Sequence, residues 1–142
     1  MGRNKSAKKK GLDSSGDPTG GSESAVSKYD GWLHFMHHKD GNSQFSKELD
    51  DLHFTVRAGY DELMDKCLDG TEPQGSVKHI GDGIYELKFR QTNNPYRLLF
   101  IKWGRFLVGL TVFHKKDQKT SKTLAISRQK RWIGQYGKTP PS

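Results

Sequence analysis

The chain has 142 residues, enough for one domain with a real core, and a formal charge of +8 that is unevenly spread. Residues 81–142 hold thirteen Lys/Arg against three Asp/Glu, whereas residues 28–80 hold six against ten, so the C-terminal part predicts a polyanionic partner. A lone Cys67 excludes an internal disulfide framework and fits a reducing cytoplasm, and neither a membrane span nor a secretory signal is visible.

Residues 1–27 combine Lys, Gly, Ser and Asp with almost nothing to bury, and are expected to be a disordered basic tail. Met1-Gly2-Arg3-Asn4-Lys5-Ser6 matches the N-myristoylation pattern, with Lys8, Lys9 and Lys10 as a basic second signal. The plainer reading is a nonspecific basic tail that brushes RNA or the ribosome. A folded domain is expected over residues 28–137, with a flexible end at 138–142.

Gly31–His37 suits a first strand, and Asp40-Gly41-Asn42 breaks the chain with turn chemistry. Phe45, Leu49, Leu52, Val56, Tyr60, Leu63 and Cys67 step by three or four, predicting a helix over about 43–68. Ser43 is its expected N-cap, a break near His53 is allowed for, and Asp69-Gly70 ends it. Ile84–Arg90 alternates, with Ile84, Glu86, Lys88 and Arg90 on one face and Tyr85, Leu87 and Phe89 on the other. Asn93-Asn94-Pro95 turns into a second run, Tyr96–Lys102, and Trp103-Gly104-Arg105 turns into a third, the apolar Phe106–Phe113. Asp117–Thr120 reads as loop, and Ser121 as the N-cap of a last helix to about Gln135. The order predicts an α+β fold: a small antiparallel sheet with helices packed mainly on one face.

If the runs pair as a meander, Lys88, Arg90 and Arg97 converge, with His114, Lys115 and Lys116 at the mouth. Arg and Lys bind phosphate and offset the charge that builds on its oxygens during phosphodiester cleavage. His114 is a candidate to move protons. RNA supplies its own 2′-OH nucleophile, so this chemistry requires neither a cofactor nor a metal. Basic strands also occur in sheets that only bind RNA, with Tyr96, Trp103 and Phe113 as stacking platforms, and the residues leave both readings open. Glu86 reads as an ion-pair partner of Lys88 and Arg90 more readily than as a general base. His34, His37 and His38 lack zinc-ligand spacing, Cys67 reads as a core thiol, and Trp132 as a packing residue.

Gly83-Ile84-Tyr85-Glu86-Leu87-Lys88, then Tyr96-Arg97-Leu98-Leu99-Phe100, then Phe113-His114-Lys115-Lys116 with Gln118-Lys119-Thr120, resemble the HigB toxins of the RelE superfamily, which overlap the phage-derived Gp49-like group. Ala125–Trp132 is similar to that family's last helix. Actinobacterial members look closest, through the Asn-Asn turn, the Trp-Gly turn and the Thr-Pro-Pro ending. The resemblance covers roughly residues 29–142. It implies a RelE-like, microbial-RNase-like toxin of a type II toxin–antitoxin system that cleaves mRNA in the ribosomal A site without metal. A HigA-type helix-turn-helix antitoxin is the implied partner. By position, Lys88 and Arg90 correspond to the basic strand and Arg97 to the transition-state arginine. Lys115, Lys116, Lys119 and Tyr96 are then the expected RNA contacts. The family's Lys-Thr-Pro is Lys-Thr-Ser here, at Ser121. The alternative is a noncatalytic RNA- or ribosome-binding protein of the same fold.

Overall fold

The apolar stripe that begins at Phe45 folds as two helices rather than one. In the computed structural model, which describes residues 27–37, 41–89 and 95–141, α1 spans Gln44–Asp50 and α2 spans Phe54–Asp69. The expectations for the basic tail with Gly2 and Lys8–Lys10, for His38 and Asp40, for Arg90 and for the Asn93-Asn94 turn lie outside the described residues. So do the side chains of Gln118 and Lys119. Ser43 caps α1 by accepting from the Ser46 N–H, and His53 Nδ1 accepts from Thr55 N–H to start α2. Gly70 closes α2 in the left-handed conformation, where a Cβ would cost energy.

The strands are β1 (Gly31–His34), β2 (Val77–His79), β3 (Ile84–Leu87), β4 (Tyr96–Trp103) and β5 (Phe106–His114). They form one sheet in the order β1-β5-β4-β3-β2. The β2–β3–β4–β5 part is an antiparallel meander, while β1 runs parallel to β5 at the far side. The chain thus follows the expected order with one short edge strand, β2, added at the start of the meander. α1 and α2 share one face. There Tyr60, Phe45 and Leu49 are fully buried, and the Phe45 ring occupies the space a Cβ at Gly109 would need.

The last helix, α3, spans Gln118–Tyr136 and starts earlier than expected, directly after a 3₁₀ turn at Lys115–Asp117. Ser121 is therefore a buried residue inside the helix and not its cap; Asp117 holds the cap position without a side-chain hydrogen bond. α3 lies on the second face, where Trp132 meets Trp103 edge-on at 5.3 Å and Trp103 Nε1 donates to the Gly137 carbonyl at 2.9 Å. Trp132 packs the helix as its position predicts.

One ion pair ties the two helical layers together across the rim of the sheet. β1 pairs only with the first half of β5, so the later half needs other partners. Glu48 of α1 accepts from Val112 N–H and Thr111 Oγ1, and its other oxygen lies 2.8 Å from Arg128 of α3. Arg128 in turn donates to the Leu110 carbonyl at 2.7 Å. Among the described residues no helix is long and apolar enough to cross a membrane.

Candidate active site

A single extra residue decides which side chains face one another at the basic end of the sheet. From the Trp103-Gly104-Arg105 turn, β4 and β5 pair regularly through Phe100↔Gly109; then Leu99 pairs with Thr111, leaving Leu110 as a bulge. Beyond it Arg97 pairs with Phe113 and Tyr96 with His114. Because alternate residues point to opposite faces, Arg97 and Phe113 belong to the α3 face, and Tyr96 and His114 to the α2 face. Tyr96 and His114 make an edge-on ring contact at 5.3 Å.

Lys88 joins Arg97. The β3–β4 pairing ends at Leu87↔Leu98, and one further step in that register sets Lys88 opposite Arg97. Both are half-buried. At this point the two strands are bridged by a side chain instead of their own ladder. The Tyr60 hydroxyl donates to the Tyr96 carbonyl at 2.7 Å and accepts a longer bond from Phe89 N–H at 3.5 Å. Arg97 Nη1 donates to that same Tyr96 carbonyl at 2.8 Å. Tyr60 was legible only as a core residue, yet its buried phenol must find partners, and they are the backbone groups beside Lys88 and Arg97.

On the α3 face a cleft of about 690 Å³ opens between the sheet and the first turns of α3. Leu99 and Phe113 line it from the strands, Ile126 and Thr123 from the helix, and Ile80 from the loop before β3. Glu86 lies in it, only 9% exposed. Lys122 also lines it; its ammonium donates to the Ile80 carbonyl at 2.9 Å and approaches Asp82 at 3.8 Å. With Gln129 Nε2 donating to the Asp82 carbonyl, these contacts hold the 80–83 loop against α3. Sequence reasoning placed Lys122 on the last helix but gave no reason to single it out. Glu86 has no ion-pair partner among the described residues, so the expected bridge to Lys88 does not form.

Beyond the ends of the strands the chain presents a rim of cations. Lys115 and Lys116 are exposed on the 3₁₀ turn. His114 Nδ1 accepts from the Lys116 backbone N–H at 3.2 Å, which leaves Nε2 as the outward nitrogen. Lys119 is on the first turn of α3. The structure therefore brings Lys88 and Arg97 to one face, with Lys115 and Lys116 at its edge, and turns His114 and Tyr96 to the other.

The remaining reactive side chains are engaged elsewhere. His34 Nδ1 lies 2.6 Å from Ser46 Oγ, and burial, aided by the nearby Arg57 guanidinium, pushes its pKa below the usual 6.5. His37 contacts Arg131 at 2.8 Å. Cys67 is buried on the helix stripe, and burial raises its thiol to about 12, so it carries essentially no thiolate at neutral pH.

Comparison with known proteins adds three findings. The family of phage-derived proteins described as Gp49-like (DUF891) matches residues 47–131. A probable endoribonuclease, HigB1 of Mycobacterium tuberculosis, is 42% identical over 113 residues, covering 78% of this chain and 90% of the relative; the protein appears in two strains of that organism. The structure of an Escherichia coli toxin, a doubly arginine-to-alanine substituted RelE in the free state, superposes with a TM-score of 0.53 at 16% identity. It covers 72% of this chain and 98% of that one, a likeness of fold.

Proposed function

This chain belongs to the phage-derived Gp49-like family, and on that premise we propose that it is a HigB-type toxin of a toxin–antitoxin system that acts as an endoribonuclease. Its similarity to the mycobacterial enzyme over most of both chains supports the activity. The observation that carries the reading is that strand register puts Lys88 and Arg97 on the sheet face that also carries a cleft large enough for a nucleotide.

The chemistry follows from that juxtaposition. Lys88 and Arg97 hold the scissile phosphate and neutralise the charge gained by its oxygens as the ribose 2′-OH attacks phosphorus. Arg90, two residues after Lys88 in the sequence, is assigned the same role. Lys115, Lys116 and Lys119 engage flanking phosphates, which position the strand without reading its sequence. Tyr96 offers a ring for stacking, and His114 lies at the same rim. No metal is needed, because the nucleophile is the RNA's own hydroxyl and the cations are side chains. The substrate is mRNA in the ribosomal A site, and a HigA-type antitoxin covers the cationic face when the toxin is silent.

Incubation with translating ribosomes, followed by mapping of new mRNA 5′ ends, tests this. New ends within the A-site codon are expected. Ribosome binding without new ends would overturn cleavage and leave a binding protein of the same fold.

A further inference from the structure

We infer that Glu86 is the general base of the cleavage reaction, an assignment that rests on the endoribonuclease reading above. The β5 bulge turns His114 to the face opposite Arg97, so the most familiar proton carrier does not share the face of the phosphate clamp. Glu86 is on the correct face. It precedes Lys88 by two residues, which places the two Cα atoms about 7 Å apart on the same side of the strand. It pairs with Leu99 of β4, the residue two along from Arg97.

Its surroundings fit a base rather than a structural ion pair. Glu48, Asp50, Asp61, Glu62, Asp30 and Asp82 each face a lysine or arginine. Glu86 is 9% exposed, faces none among the described residues, and lines the cleft beside the apolar Leu99 and Phe113. A carboxylate held this way, at the edge of a cationic clamp, is available to a hydroxyl that enters the cleft. Asp82, the other acid lining it, is largely exposed and lies 3.8 Å from Lys122.

In the proposed step the Glu86 carboxylate accepts the proton of the 2′-OH as its oxygen bonds to phosphorus. The bond from phosphorus to the 5′-oxygen breaks, and that oxygen takes a proton from the Lys88 ammonium. The products are a 2′,3′-cyclic phosphate and a 5′-hydroxyl, and proton exchange with solvent restores the neutral acid and the neutral amine to their starting forms.

Single-turnover cleavage of ribosome-bound mRNA by the unsubstituted protein, Glu86→Gln and His114→Gln tests the assignment. The isosteric Gln should slow the chemical step by roughly 10²–10⁴-fold. It should bind ribosomes carrying 2′-O-methyl mRNA, which lacks the nucleophile, as well as the unsubstituted protein does; this binding also reports that the variant is folded. A 5′-thio leaving group, which departs without protonation, should leave the Gln defect in place. Rapid cleavage by Glu86→Gln, a defect in binding equal to the defect in rate, or rescue by the 5′-thio substrate would each overturn the assignment while the endoribonuclease reading stands. No cleavage by the unsubstituted protein would overturn both.

Discussion

The two faces of the β3–β4–β5 part of the meander are made by the same three strands, residue by alternate residue, and they are finished in opposite ways. On the α2 face Phe45 fills the space above Gly109, Tyr60 is fully buried, and Trp32 packs edge-on to Phe100 at 5.1 Å. On the α3 face the helix covers the Trp103 end but stands off at the other, leaving the cleft with Glu86, on the face to which register assigns Lys88 and Arg97. On the proposed reading, one small sheet supplies both stability and chemistry. The packed face fixes strand positions, and the open face inherits that order while leaving a cleft beside its charges.

The comparison can be broken at several points. Replacing Arg97 with Ala should lower mRNA cleavage by about 10²–10³-fold, the usual cost of losing one charge-stabilising donor, while the thermal midpoint changes little. Equal losses of cleavage and stability would mean that Arg97 belongs to the packing. Gly109→Ala tests the opposite face: overpacking against Phe45 should cost about 1–3 kcal/mol in denaturant unfolding, with cleavage by the folded fraction unchanged. Tyr60→Phe sharpens the link between the faces. Loss of the phenol removes the bonds to Tyr96 and Phe89 and should cost about 1 kcal/mol of stability, and because the same carbonyl holds Arg97, cleavage should fall too.

The smallest expected effect is the pH dependence of the packed face. Folding lowers the His34 pKa beneath 6.5, so below that pH the unfolded chain binds more protons than the folded one. This residue's contribution therefore makes stability fall as pH drops through 6.5, by no more than about 1.4 kcal/mol per pH unit, with no effect above pH 7.5. Urea unfolding of the unsubstituted protein and His34→Gln between pH 5 and 8 measures it, as the slope that disappears in the variant.

Much of this architecture was legible. The three-and-four spacing from Phe45 to Cys67 marks residues that are all buried or packed on the core, and Ser43, His53 and Gly70 sit at the helix boundaries. The alternation of Ile84–Lys88 gave the faces of β3 correctly. What could not be read was long-range or irregular. β2 is three residues, one half-buried and two exposed, with no apolar pattern, and β1 reaches β5 in parallel across more than seventy residues. The α3 start was hidden because Lys115–Thr120 is polar throughout and looks like loop. Most consequential was the bulge at Leu110. Regular pairing from the Trp103↔Phe106 turn would set His114 on the face of Arg97, and one extra residue reverses that. Nothing in an apolar run such as Leu107–Phe113 announces where a bulge falls.

The account's central claim is that the α3 face, not the rim as a whole, does the cleaving. Mapping mRNA 5′ ends on translating ribosomes treated with Arg97→Ala and with His114→Gln tests it most directly. The account predicts cleavage slowed by about 10²–10³-fold with the first variant and within tenfold of the unsubstituted rate with the second. A loss of that size with His114→Gln, or an unchanged rate with Arg97→Ala, would contradict it.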